Sequence, residues 1–251
     1  MKCERNDLAV IILAAGLGTR MKSDRAKVLH EIIGRPMIWY VIETAKKVAG
    51  NSIVVVIGHQ AEKVREVISR SADVKYALQE KQLGTGHAVL CAMRYISEKI
   101  KKIVILCGDV PLLSSDTIYH LIENHDKFNC DLSILGVEME NPKGYGRILF
   151  AEEQQVSGIV EEADATDEQK KINKVNTGIY CVNKIFLEES VKKIKTNNAQ
   201  EEFYLTDIIK IGHEAGKDIR ILIMNDPEEF IGINTSEDLK RVEEIMMRRP
   251  M

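Results

Sequence analysis

Apolar positions along the chain follow two alternating rhythms. The runs at Leu8–Leu13, Ser52–Ile57 and Ile103–Cys107 are short and rich in β-branched residues, as buried strands are, and Val74–Leu78 reads as a further short strand. Between them the period lengthens to that of a helix. Met37, Ile38, Val41, Ile42, Ala45 and Val48 form one such stripe, which Pro36 opens as a first helical residue and Gly50 closes. Ala61–Ser69 and Thr85–Ile100 carry the same period. Strands alternating with helices predict an α/β fold with a doubly wound, mostly parallel sheet and right-handed crossovers. Ligands of such sheets lie beyond the carboxyl ends of the strands, where strand order reverses. The loop from Ala14 to Arg20 and the Gly108-Asp109 turn are therefore expected to face one crevice.

The pattern changes past residue 130. Asp131–Glu138, Gly146–Phe150, Gln155–Glu161 and Lys174–Val182 read as strands separated by turn residues. They predict antiparallel additions that form a smaller mixed β lobe, rather than fresh β-α-β units. Ile185–Lys195 and Asp207–Ala215 read as helices and Ile219–Met224 as a further strand. Thr235–Arg249 reads as a charged helix opened by a Thr-x-x-Asp variant of the capping box. One domain over 1–251 is expected, with halves of about 1–130 and 131–234 and a terminal helix at 235–251. There is no internal repeat and no hexapeptide periodicity of the β-helix kind.

Composition narrows the possible partners. A net charge of −3 over 251 residues shows no basic excess, which argues against nucleic acid as a partner. No uncharged apolar run reaches membrane-spanning length, and Met1–Asp7 lacks the apolar core of a signal peptide. Cys3, Cys91, Cys107, Cys130 and Cys181 are scattered, with no C-x-x-C pair, so neither a zinc site nor a disulfide framework is indicated. A cytoplasmic location is expected.

Candidate chemistry begins at Leu13–Met21. Gly16 and Gly18, with Ala14 and Ala15, clear side chains from a turn, and Thr19, Arg20 and Lys27 then supply a hydroxyl and two cations. That arrangement suits a phosphate ester; the plainer alternative is a flexible turn with a solvated arginine. Met21 replaces the third glycine of a dinucleotide fingerprint, and Gly-Thr-Arg replaces the Gly-Lys-Ser/Thr of a P-loop. Asp109 follows a buried strand and reads either as the cap of the next helix or as a Mg²⁺ ligand. Ser114 or Ser115 is better placed to cap, which leaves Asp109 for the metal.

Gln79–His87 joins a strand to a helix. The Gln79 amide can offer an acceptor and a donor to the imide edge of uracil or thymine, or the segment is an ordinary polar loop. His87 reads as a structural residue rather than a catalytic base. Gly144-Tyr145-Gly146-Arg147, Glu161 and Asn176-Thr177-Gly178 are each turn or cap candidates alone. Together they carry the groups that sugar hydroxyls and an N-acetyl amide require. Asn234 reads equally as a neighbour of a helix cap or as a neutral Mg²⁺ ligand.

The ordered series as a whole resembles a known family. It comprises Leu13–Met21 with Lys27-Val28-Leu29-His30, Gln82–Ala88, Gly108–Leu112, Gly144–Ile148, Gly158–Glu161, Asp164–Thr166, Asn176–Ile179, Asn197–Gln200 and Glu202–Asp207. The series resembles the sugar nucleotidyltransferase superfamily, and within it the uridylyltransferase domains of bacterial N-acetylglucosamine-1-phosphate uridylyltransferases. The resemblance implies uridylyl transfer from UTP to N-acetylglucosamine 1-phosphate, with Mg²⁺ as cofactor, in a nucleotide-binding half and a sugar-binding half. It implies that Ala15, Gly16, Gly18, Gln79 and Gly84 bind the nucleotide, with Thr85 near it, and that Arg20 and Lys27 hold the triphosphate. Asp109 and Asn234 would ligate Mg²⁺, making Arg20, Lys27 and Asp109 the catalytic set. Gly146, Glu161, Asn176, Tyr204 and Thr206 would line the amino-sugar pocket.

Leu17 stands where relatives often have lysine, and Cys107 where tyrosine is common. The family's C-terminal β-helix, which carries acetyl transfer and trimerisation, is absent from this sequence, so a monomer or weak oligomer is expected. Two other readings stay open: a related enzyme with a different sugar or base, and a nucleotide-sugar-binding module without turnover.

Overall fold

The first β-branched run forms β1 (Leu8–Ala14), which lies buried in the middle of the sheet. The structure is a computed structural model that describes residues 6–151 and 155–249. Cys3 and most of the N-terminal segment considered above lie outside the described residues. Past β1 the chain makes a two-stranded ribbon, β2 (Glu31–Ile32) and β3 (Arg35–Pro36), and then α1 (Met37–Ala49). Pro36 pairs with Glu31 in that ribbon, so the helix starts one residue later than its periodicity predicts.

The alternation then runs β4 (Ile53–Ile57), α2 (Ala61–Ser69), β5 (Lys75–Leu78), α3 (Thr85–Met93), β6 (Lys102–Cys107) and α4 (Ser115–Phe128). The expected helix at Thr85–Ile100 ends at Met93. Ile96 and Ile100 are buried as the stripe requires, but tight turns carry them there, with Tyr95 N–H bonded to Ala92 O and Ile96 N–H to Met93 O. Periodicity there reports burial and not helix.

The remaining elements are β7 (Leu132–Glu138), β8 (Arg147–Phe150), β9 (Val156–Val160), β10 (Lys174–Asn183), α5 (Lys184–Val191), α6 (Asp207–Glu214), β11 (Ile219–Met224) and α7 (Ser236–Arg248). α5 and α6 end four residues and one residue before the predicted limits.

The main sheet runs β11-β7-β10-β6-β1-β4-β5, with β8 and β9 attached beside β10. From β1 the chain steps outward to β4 and β5, then returns across β1 to β6. A right-handed crossover in the reverse direction must lie on the other face. So α1 and α2 pack on Val10, Ile12 and Val55, whereas α3 packs on Ala9, Ile11 and Val54. The reversal falls between β1 and β6, which are hydrogen-bonded neighbours.

One expectation needs correction. β10 is antiparallel to both β6 and β7, so β7 runs in the same direction as β6 and is reached through α4 like any β-α-β unit. β11 pairs parallel to β7. Only β8, β9 and β10 are antiparallel additions. β8 and β9 hang from the early end of β10 and form the smaller lobe.

Candidate active site

The loop after β1 turns on Gly18, whose φ is 66°. A side chain there would be strained, and its Cβ would also fall 2.6 Å from Lys27 Cβ. The glycine thus lets the Lys27 segment lie against the loop. Gly108 N–H bonds to Leu13 O at 2.9 Å, which sets Asp109 beside the end of β1. Ser114 caps α4 by accepting from Thr117 N–H at 3.1 Å, so Asp109 is not the cap. A third segment arrives just before α7, where Ile233 N–H bonds to Asp109 O at 2.9 Å. Asp238 accepts from both Asn234 and Thr235 N–H in a full capping box, which holds Asn234 at the helix entrance.

These three segments bring four of the expected residues together. The Lys27 ammonium ion-pairs with Asp109 Oδ2 and donates to Asn234 Oδ1 at 2.7 Å. Arg20 donates to the same Asn234 oxygen at 2.8 Å. One cation therefore touches both the Asp109 carboxylate and the Asn234 amide oxygen, so these two oxygens converge on a single cationic point. A hard divalent ion such as Mg²⁺ takes oxygen ligands of this kind and needs few of them from protein. Among the described residues no group of three or more His, Cys, Asp and Glu could hold a metal.

The residues expected to seat the nucleotide lie beyond β4 and β5. Ala15 O accepts from His59 N–H, and Gln79 N–H bonds to Ile57 O, so the β1 loop and Gln79 flank the same strand end. Gln79 Nε2 donates to Gly84 O at 3.0 Å. The Thr85 hydroxyl accepts from Leu205 N–H at 2.9 Å and ties α3 to the second half.

The residues expected to line the amino-sugar pocket form a network of short bonds. Asn176 N–H bonds to Gly146 O, and Asn176 Nδ2 donates to the buried Tyr180 hydroxyl at 2.7 Å. Between these two residues the β10 ladder is irregular, and Gly178 has φ 76° with Cys107 Sγ 2.8 Å from where its Cβ would lie. Thr206 donates to Glu161 Oε1 at 2.9 Å. Burial raises the pKa of Glu161, while the Thr206 hydrogen bond pulls it back. Burial, with Asp109 adding, pushes the Cys107 thiol up to about 12, so it is a neutral lining group. The Tyr204 hydroxyl donates to Gln200 Oε1 at 2.8 Å and not to this network.

Comparison with known proteins fits this geometry. The family model described as nucleotidyl transferase matches residues 9–227. The chain belongs to the nucleotidyl transferase family. Relatives of this nucleotidyl transferase include the bifunctional protein GlmU of Alkaliphilus oremlandii, 46% identical over 96% of this chain and 52% of the relative. The bifunctional protein GlmU of Geobacter sulfurreducens is 44% identical over 97% of this chain and 51% of its own length. The chain thus spans about half the length of the curated relatives it matches. A Bacillus anthracis protein solved with a sucrose shares the fold at TM-score 0.75 and 21% identity, over 97% of both chains. HddC from Yersinia pseudotuberculosis, complexed with GMP-PN, does so at TM-score 0.69 and 22% identity, over 95% of this chain and 99% of the other.

Three further residues support these networks, and of them the sequence marks only Arg147, within Gly144–Arg147. Tyr180 holds Asn176. Arg147, 1% exposed, pairs with Glu162 at 2.7 Å and donates to Tyr145 O, fixing the segment that carries Glu161. Gly58 packs on Ala15. Tyr180 and Gly58 carry no local signal of this kind.

Proposed function

We propose that the chain transfers a uridylyl group from UTP to N-acetylglucosamine 1-phosphate, releasing UDP-N-acetylglucosamine and pyrophosphate. The observation that carries the reading is the convergence of Arg20, Lys27, Asp109 and Asn234 from three segments at the strand reversal. The relatives named GlmU, matched over nearly the whole chain, support the same assignment.

A sugar phosphate is already an anion at neutral pH. Its oxygen attacks the α-phosphorus of UTP, the bond from that phosphorus to the bridging oxygen breaks, and pyrophosphate leaves as an anion. No proton has to be taken or given, so the absence of a histidine-based triad is chemically consistent. What the protein must supply is alignment and positive charge. Arg20 and Lys27 lie where the triphosphate enters and compensate its charge. Asp109 and Asn234 would hold Mg²⁺, which supplies Lewis-acid neutralisation and a template for the phosphates. Ala15, Gly16, Gly18, Gln79 and Gly84 would seat the nucleotide. Gly146, Glu161, Asn176 and Thr206, with Tyr204 at the edge, would seat the amino sugar. The half at about 1–130 would then read the nucleotide and that at about 131–234 the sugar.

The test is a pyrophosphate-release assay across nucleotides and sugar phosphates. Turnover should require UTP, N-acetylglucosamine 1-phosphate and a divalent cation, stop with EDTA and return with excess Mg²⁺. Stronger turnover with glucose 1-phosphate would overturn the sugar assignment.

A further inference from the structure

His87 takes no part in the chemistry above, yet it is bonded to a residue that does. Gln79 is 3% exposed, and its Nε2 lies 3.0 Å from Gly84 O and 3.1 Å from His87 Nδ1. A carbonyl oxygen only accepts, so the nitrogen of the Gln79 amide faces Gly84. The second amide hydrogen then points to His87 Nδ1, which must offer a lone pair. A neutral imidazole with a bare Nδ1 carries its proton on Nε2, and Nε2 sits 3.8 Å from Cys91 Sγ, a weak acceptor. The donors of the Gln79 amide and of the His87 ring are thereby assigned. Gln79 Oε1 has no hydrogen-bond partner among the described residues and remains as the acceptor.

We propose that His87 is a positioning residue that locks the Gln79 amide with its oxygen outward, so that the site prefers a base with an imide N–H over cytosine. Uracil presents a donor at its ring N3, which Oε1 can accept. Cytosine presents a lone pair at the same atom, and the two acceptors repel. Turning the amide over to suit cytosine would set Oε1 against Gly84 O, and against His87 Nδ1 as long as the ring keeps its proton on Nε2. The inference rests on the reading that Gln79 faces the base.

Two measurements test it. In the free wild-type protein, ¹⁵N chemical shifts of the His87 ring should show the neutral tautomer protonated at Nε2; an Nδ1-protonated ring overturns the proposal. This measurement needs no variant, so it decides even where a substitution prevents folding. The second is the ratio of kcat/KM for UTP to that for CTP, with N-acetylglucosamine 1-phosphate as acceptor. His87→Leu removes one of the two acceptors that hold the amide and leaves Gly84 O alone, and the ratio should fall by about tenfold. His87→Asn, whose side-chain oxygen can accept near the Nδ1 position, should restore most of it. If Gln79→Leu lowers the ratio and His87→Leu leaves it intact, the lock is wrong and the base reading stands. If Gln79→Leu also leaves the ratio intact, the base reading fails and takes the proposal with it.

Discussion

At the end of the crevice proposed for the phosphates the side chains are charged and reached by water; at the end proposed for the sugar they are bonded to one another and mostly buried. Lys27 and Asp109 keep 14% and 22% of their side-chain surface exposed, enough for an incoming anion to displace water and compete for the lysine. Asn176, Tyr180 and Thr206 are buried, and each already has a protein partner. The difference follows from what each end would read. A triphosphate is recognised through charge, which is strong at a distance and tolerant of geometry. A sugar is recognised through neutral hydrogen bonds, which demand fixed partners. Long side chains therefore serve one end and a rigid network serves the other.

Breaking the charged end should cost most. Asp109→Asn should lower turnover by about two orders of magnitude or more, because it weakens the hold on the divalent cation that would neutralise charge in the transition state. Circular dichroism should be unchanged, and wild-type turnover at saturating magnesium would remove Asp109 from the metal site.

Lys27→Ala comes next. Charge on the departing pyrophosphate exceeds that in bound UTP, so the loss should fall on kcat as well as on UTP affinity, about 10- to 100-fold together. Lys27→Arg should recover only part, since a planar fork does not replace a point charge. A change confined to KM would mean that the lysine binds substrate and transition state equally.

The sugar end should respond differently. Glu161→Gln should raise KM for the sugar phosphate by about tenfold, the cost of one charged hydrogen bond, with little change in KM for UTP. The same variant tests the burial. Burial raises the pKa of Glu161 in the folded chain above its unfolded value. The folded state therefore holds this proton to higher pH than the unfolded state does. The wild type loses stability from the unfolded pKa upward until the raised folded pKa is passed. Glu161→Gln carries no such cost, so its Tm relative to wild type should be higher at pH 8 than at pH 4. An equal difference at both would show that the carboxylate is not penalised by burial.

The smallest effect belongs to the scaffold. Thr235→Ala deletes the side-chain acceptor of the α7 capping box and should cost about 1 kcal/mol in urea denaturation. A loss of turnover well beyond that of stability would show that the cap also sets Asn234.

The strands of the first half were legible because buried parallel strands are continuous apolar runs, and no other element of that length is. The β2–β3 ribbon was not. Its turn is Ile33-Gly34, both with positive φ, where the recognisable signal is Asn-Gly or Asp-Gly. The insertion of β10 between β6 and β7 leaves no local mark either, since strand neighbours are chosen across long stretches of chain. At the site, Arg20, Lys27 and Asp109 could be picked out by residue type and place. Asn234 could not: it stands next to the helix cap Thr235 and reads equally as a cap neighbour or a metal ligand, so only the family resemblance favoured the second role. Thr85 shows the reverse, a residue at a ligand-binding motif whose hydroxyl is spent on joining two parts of the fold.

The place of β10 has a consequence for synthesis. β6 ends at Cys107, but the strand that covers its open edge spans residues 174–183. At about 5–20 residues per second, the ribosome needs several seconds to make the intervening chain. Throughout that time the nascent chain presents Ile103, Val104 and Ile105 on an unpaired edge, the template on which foreign strands add. Slow translation between 108 and 174 should therefore favour aggregation, and a chaperone that covers sheet edges should matter more for this protein than its thermodynamic stability suggests.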